Sequence, residues 1–293
     1  MTGAPLLYAL LSLMIVGWAA NYIAAKIAVQ TFPPVLLYCI RMSMAGVLMA
    51  VVYAWHRRTN PPTWTLRDLP LMVLIGIFGV SLNQFLFVYG ISETSVAHAA
   101  IFANMSPVLV LLLAGASGLE AMTPSKVAGV AVALGGVVLL RAMDARPHGA
   151  ATLAGDGVVF LGSLAFSIFT VVGKPTAAKF GSISVMTVAY VGAALLVSPL
   201  TIWRISQFHL AAAPASAWLA LTYMTVGPSV TCYLIYYYAL ARMEASRLTS
   251  LNYVLPVLAT LLGVLILGEQ VTLWTAVAGV VIFTGVYMVE RAR

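Results

Sequence analysis

Apolar runs of about twenty residues follow one another along nearly the whole chain, separated by short polar joints. A helix needs about 20 apolar residues to cross a bilayer core, and in lipid every backbone donor and acceptor must find its partner inside the structure. Consecutive runs of this length leave few folds open. A transmembrane β-barrel would show alternating strands of roughly ten residues, whereas these runs are continuous. Composition removes the water-soluble alternative. Charged types make up only 8% of the 293 residues and apolar types 62%, against about 25% charged in soluble domains. The chain reads as an all-α polytopic membrane protein.

Ten transmembrane helices are expected, at about 5–28, 35–55, 69–91, 96–117, 124–141, 153–174, 183–204, 215–240, 246–267 and 272–290. The joints carry turn chemistry: FPP at 32–34, RRTNPP at 57–62, RPHG at 146–149, FGS at 180–182 and Ala213–Pro214. Lysine and arginine set the direction. With the N-terminus in the cytoplasm, the inside joints hold Arg57, Arg58, Arg67, Lys126, Lys174, Lys179, Arg242 and Arg247, and the C-terminus adds Arg291 and Arg293. The outside ends hold only Lys26, Arg141, Arg146 and Arg204. The positive-inside rule therefore places both termini in the cytoplasm, and an even number of spans agrees. The net charge of +7 does not mark a nucleic-acid binder, because the basic residues stand in ones and twos at span ends rather than in a patch. Cys39 and Cys232 fall inside spans and read as small apolar fillers. The first run is long enough to span and has no basic cluster before it, so no cleavable signal is expected.

The chain also repeats itself. Residues 104–123 read NMSPVLVLLLAGASGLEAMT, and residues 253–272, an offset of 149, read YVLPVLATLLGVLILGEQVT, with seven of twenty positions identical. Tyr89 maps to Tyr238 at the same offset, Lys26 to Lys174, Trp18 to Phe166 and Phe32 to Phe180 at 148, and Gly129 to Gly279 at 150. Matches of Pro, Glu, Thr and Gly in register are not expected of apolar helices by chance. The repeats are five helices each, at 1–145 and 150–293. Five is odd, so the second copy crosses the membrane in the opposite sense. Inverted repeats are the architecture of many secondary transporters.

These residues carry a resemblance to a known family. The first half shows W-A-A-N-Y-I-A-A-K at 18–26, Arg41, Y-G-I at 89–91, A-x-x-A at 97–100, Pro107–Val108 and Glu120. The second shows Lys174, Tyr238–Ala239–Leu240, Pro256, L-G-E at 267–269 and a glycine-rich last helix. Over its whole length the chain resembles the drug/metabolite transporter superfamily, of the ten-helix EamA type, and within it the bacterial exporters of aromatic amino acids. The resemblance implies an inner-membrane exporter with a central cavity lined by helices from both halves. It implies a small-molecule substrate, surrounding lipid, no cofactor and a monomer or homodimer.

Polar side chains deep in a span face the protein interior or a cavity. The cavity candidates are Trp18, Asn21 and Tyr22 in helix 1, Asn83 and Gln84 in helix 3, His98 and Asn104 in helix 4, Phe169 in helix 6, Tyr233 and Tyr237 in helix 8, and Asn252 and Tyr253 in helix 9. Tyr233 and Tyr237 share a face at i, i+4 and suit an aromatic wall. The last tyrosines of the run at 236–238 fit an interfacial aromatic belt as well. The asparagines and Gln84 suit substrate hydrogen bonds or interhelical bonds. Asn104 and Asn252 precede Pro107 and Pro256, which free backbone carbonyls one turn back and mark candidate flexing points. Arg41 and Lys26 are candidate partners for a substrate carboxylate, with snorkelling the alternative for Lys26. His98 suits a substrate contact, a proton carrier or a capped helix end. Gly129, Gly135, Gly136, Gly279 and Gly285 suit close helix packing.

Missing residues narrow the function. Every Asp and Glu falls at a span end or joint, so no buried carboxylate is expected to carry a proton or neutralise an organic cation. There is no H-E-x-x-H, G-x-S-x-G or Walker A sequence, which disfavours a metal-dependent or serine-based intramembrane enzyme and an ATP-driven pump. A lipid-headgroup carrier would want several buried cations. The expected function is export of small amphipathic metabolites, aromatic or neutral amino acids first, by alternating access. A multidrug, nucleoside or lipid-headgroup transporter of the same fold is the alternative.

Overall fold

The computed structural model describes residues 4–61, 64–116, 123–142, 152–243, 248 and 251–291. Proline and glycine punctuation sets the first elements. α1 (Ala4–Val29) stops short of the Pro33–Pro34 pair, and Pro34 opens α2 (Pro34–His56). A proline in the first turn fits because its fixed φ suits the helix and its missing N–H had no partner there. The next segment enters through a 3₁₀ turn, Leu66–Asp68, whose Asp68 carboxylate accepts from the Thr65 N–H at 2.9 Å and hydroxyl at 3.0 Å. It continues as α3 (Leu69–Gly76), a π-helical stretch (Ile77–Leu82) and α4 (Asn83–Ser92).

The expected fourth helix, 96–117, is broken in the middle. α5 (Val96–Ala103) and α6 (Ser106–Ala116) are separated at Asn104–Met105, just before Pro107. Proline cannot donate to the residue one turn back, so the ladder opens there. The Ala103 carbonyl that it frees accepts instead from the Ser163 hydroxyl at 3.0 Å. α7 (Pro124–Ala142) follows. α8 (Leu153–Phe180) is longer than the expected 153–174: it continues through Pro175 and ends where Gly181 adopts φ +76°, a corner open to glycine at no steric cost.

α9 (Ser182–Ser206) leads to α10 (Ala215–Met224), a second π-helical stretch (Thr225–Cys232) containing Pro228, and α11 (Tyr233–Leu240). The expected helix at 246–267 is described only from a 3₁₀ turn at Leu251–Tyr253 onward, followed by α12 (Val254–Leu267); its first turns lie outside the described residues. α13 (Leu273–Arg291) closes the chain. Among the described residues, seven helical segments are long and apolar enough to cross a membrane: Pro5–Val29, Pro34–His56, Leu66–Ser92, Val96–Leu113, Leu153–Phe180, Ser182–Ser206 and Ala215–Leu240. Val254–Leu267 and Leu273–Gly285 are shorter apolar helices.

Small residues decide which helices touch. α2 lies along α9, where a Cβ on Gly46 would come within 2.6 Å of Ala194. α7 lies along α13, and a Cβ on Gly285 would collide with the backbone of Gly129 and Ala133. Gly285, and Gly136 against Ile282, serve the close approach read from the sequence; Gly46 adds one that was not read there, and Gly135 and Gly279 make none, with no atom nearer than 4.0 Å to a Cβ. α8 packs between α3–α4 and α5–α6, while α1 packs between α10–α11 and α12. Both cysteines are buried and unbridged.

Candidate functional site

The inner faces of these helices leave a central cavity that is open at one mouth. α1 contributes Trp18, Asn21 and Tyr22, α2 Arg41, and α4 Asn83, Gln84 and Phe87. The α5–α6 break contributes Ala103, Asn104 and Ser106, and α8 Val159, Gly162, Ser163 and Phe166. Pro228, Tyr233, Asn252 and Leu255 complete it. Many of the polar groups that looked out of place in apolar spans thus converge on one space.

One side is aromatic. The Trp18 ring meets Phe166 at 6.0 Å and Tyr233 at 5.8 Å between centroids, both edge to face. Phe166 meets Tyr233 at 6.2 Å and 88°. Such T-shaped contacts set the positive ring edge against the negative face of the neighbour. The Tyr233 hydroxyl lies 2.7 Å from Asn83 Oδ1 and 2.9 Å from the Gly79 carbonyl. That carbonyl belongs to the π-helical stretch, where the widened turn disturbs the usual ladder. Asn83 in turn donates from Nδ2 to the Gly162 carbonyl at 2.9 Å, fastening α4 to α8.

The rest of the lining is more polar and carries one charge. Arg41 is 2% exposed. Its Nε donates to Ser229 Oγ at 2.8 Å, Ser229 donates to Gln84 Oε1 at 2.9 Å, and Gln84 Nε2 donates to the Tyr190 hydroxyl at 2.6 Å. Among the described residues Arg41 Nη1 has no hydrogen-bond partner, and the same holds for the side-chain oxygens of Asn21 and Asn252. Asn104 is satisfied differently: Nδ2 donates to the Ala100 carbonyl at 2.7 Å and reaches the Tyr22 hydroxyl at 3.4 Å, bracing the helix break.

Nine of the residues singled out from sequence line this cavity: Trp18, Asn21, Tyr22, Arg41, Asn83, Gln84, Asn104, Tyr233 and Asn252. Others sit elsewhere. Phe169 packs beneath it, stacked on Tyr237 at 5.4 Å. Tyr237 turns its hydroxyl to the Gly173 carbonyl at 2.9 Å and to Thr176 at 2.6 Å. Pro107 and Pro256 are buried behind the lining. The Tyr253 side chain lies outside the described residues. Sequence reasoning passed over Phe87, Ser106, Ser163 and Leu255, which carry no distinctive signal in an apolar helix. Phe166 did carry one, since it is the repeat partner of Trp18.

His98 and Lys26 lie toward the far end of α5 and α1, in a separate polar cluster. His98 Nδ1 is 3.0 Å from Asp156 Oδ2, and Thr94 donates to Asp156 Oδ1 at 2.5 Å. Asp156 is 1% exposed. The expectation that no carboxylate is buried is therefore overturned: Asp156 stands in the first turn of α8, as its position at a span end suggested, but the α4–α5 turn folds over it. Glu269 reaches the same place. Gly268, at φ +66°, turns the chain back at the end of α12, and the Glu269 N–H bonds to the Gly263 carbonyl at 3.1 Å. Its carboxylate then caps α5, accepting from the Val96 N–H at 3.0 and 3.1 Å. An anion is stabilised at a helix N-terminus by the free N–H groups and the dipole. Lys26 lies within electrostatic reach of Glu269 and Glu93.

Known proteins resemble this chain along nearly its full length. A transporter of Archaeoglobus fulgidus is 28% identical over 97% of this chain and 98% of its own. A protein of Streptantibioticus cattleyicolor named a probable terminal-alkyne amino-acid exporter is 26% identical over 96% of this chain and 92% of its own. The inner membrane transporter YedA of Escherichia coli K12 is 27% identical over 95% of this chain and 89% of its own. A solved crystal structure, 23% identical, superposes with a TM-score of 0.67 over 96% of this chain and 94% of its own, and shows the same fold. The model of the EamA-like transporter family matches residues 5–142 and again 153–291. A multi-pass helical membrane protein with a central polar cavity, matched twice by that model, belongs to the EamA-like transporter family.

Proposed function

We propose that this transporter is a secondary exporter of small amphipathic metabolites, with neutral and aromatic amino acids as the substrate class, working by alternating access. The observation that carries the reading is the cavity itself, lined from both family-model matches by aromatic and polar side chains together. An apolar or aromatic side chain would pack on Trp18, Phe166 and Tyr233, and the backbone groups of the solute would meet the polar side. The name of the Streptantibioticus relative supports an amino-acid substrate, and that of YedA supports residence in the inner membrane of a bacterium.

The frame of the proposal is ten crossings as two inverted five-helix repeats, residues 1–145 and 150–293, with both termini cytoplasmic. Inverted halves exchange conformations and so open one central site to each side in turn. The breaks before Pro107 and Pro256 are the proposed flexing points. A single buried arginine with no carboxylate in the lining disfavours organic cations.

The test is transport by purified protein in liposomes of radiolabelled Phe, Trp and Thr, with a neutral drug-like compound as control, with and without a pH gradient. Phe and Trp moving faster than the control is the expected result. Movement of the control alone would replace the amino-acid reading with a multidrug one. A requirement for the gradient would assign the buried His98–Asp156 pair to proton carriage.

A further inference from the structure

We propose that Arg41 is the anchor for a substrate carboxylate, and that Asn21 and Asn252 receive the ammonium group of the same solute. The inference rests on the cavity being the transport site. Arg41 is buried within α2 and lines the cavity, and no carboxylate stands among the described lining residues. A guanidinium withdrawn from water is costly unless its donors are met. Ser229 meets Nε, and Nη1 is unmet. An arginine that only tied helices together would spend its remaining donors on carbonyls or an acid. This one instead presents a planar set of donors whose natural complement is a carboxylate. The chain Ser229–Gln84–Tyr190 holds it from behind and fixes its orientation.

The rest of the lining selects among anions. A phosphate would bring further negative charge, and the described lining holds no second cation. The unmet side-chain oxygens of Asn21 and Asn252 accept hydrogen bonds, so they call for a donor on the ligand. Carboxylate, N–H donors and an apolar body on the Trp18 side together describe a free neutral amino acid. Lys26, the other cation considered for this role, does not line the cavity and lies within electrostatic reach of Glu269 and Glu93.

The experiment is competition against counterflow of L-phenylalanine in proteoliposomes by 3-phenylpropionate, which keeps the carboxylate, and by 2-phenylethylamine, which keeps the ammonium. It is run on wild type, Arg41→Gln, Arg41→Lys and Ser229→Ala, each first shown to be monodisperse in detergent. In wild type, 3-phenylpropionate should compete at least about tenfold better than 2-phenylethylamine, the scale of one charge-assisted hydrogen bond. Arg41→Gln should abolish that preference, Arg41→Lys should keep part of it, and Ser229→Ala should weaken it. Transport of phenylalanine with equal competition by both compounds, or a preference that survives Arg41→Gln, would overturn the anchor and leave the transport reading standing. If phenylalanine is not transported, direct binding of 3-phenylpropionate by calorimetry decides. Binding that Arg41→Gln removes keeps the anchor and sinks the amino-acid substrate; no binding sinks both.

Discussion

The Tyr233 hydroxyl has one proton and two acceptors, Asn83 Oδ1 at 2.7 Å and the Gly79 carbonyl at 2.9 Å. Both are partners on the segment that spans Leu66–Ser92, so this tyrosine fastens α11 to the cavity wall. Tyr233→Phe keeps the ring and removes the proton, leaving buried acceptors unmet at a cost of about 1–3 kcal/mol. A lowered thermal unfolding midpoint in nanodiscs is expected. Tyr238→Phe, whose ring contact with Arg242 at 3.5 Å survives the change, should leave the midpoint where it was; equal midpoints for all three proteins would contradict the role. The sequence pointed Tyr233 inward because a polar group in an apolar span faces the interior, and the side chain does line the cavity. It could not separate Tyr233 from Tyr237. Spacing of i, i+4 gives a common face but not depth, and one turn, about 5.4 Å along the axis, is enough to move Tyr237 from the cavity to the flank of α8. Trp18 and Phe166 show the reverse case, where a repeat partner identifies a lining residue that its own neighbourhood does not.

The elements whose existence follows from hydropathy are the long ones, and their ends agree with the expected spans to within a few residues except where proline or glycine intervenes. The irregular stretches were not legible. A π-helical turn has no composition of its own, yet one occurs at Ile77–Leu82 and another at Thr225–Cys232, positions that correspond at the repeat offset. The break at Asn104–Met105 and the 3₁₀ turn at Leu251–Tyr253 correspond in the same way. Here the proline signal was present and its consequence, a broken rather than bent helix, depended on a tertiary donor, Ser163. The π turn at Ile77–Leu82 also makes room for α8: a Cβ on Gly79 would run into the Phe169 ring. Gly79→Ala should therefore destabilise the protein by about 1–3 kcal/mol, as overpacking does. Gly192→Ala, with nothing within 4 Å of the new methyl, should be neutral or slightly stabilising. A chemical-denaturation series in which both variants match wild type would show that the π turn yields to the ring.

At the scale of the molecule, the packing has a pattern that the repeat explains. α1 against α10–α11 is mirrored by α8 against α3–α4, and α1 against α12 by α8 against α5–α6. α2 with α9, and α7 with α13, pair with their own counterparts. Polar contacts tie the two family-model matches together at both ends. The cluster of Thr94, His98 and Asp156, with the Glu269 cap on α5, closes one end. Lys179 and Asp68 meet at 3.4 Å on the other, in an exposed pair that contributes at most about 1 kcal/mol. The most direct test of alternating access is the reactivity of Ser163→Cys, a cavity position, in a Cys39→Ala, Cys232→Ala background. A membrane-impermeant thiol reagent is applied to right-side-out and inside-out vesicles in turn, with and without L-phenylalanine. Labelling from both sides, with phenylalanine shifting the balance between them, is the result predicted; labelling from one side only, unchanged by phenylalanine, would contradict a cavity that opens alternately.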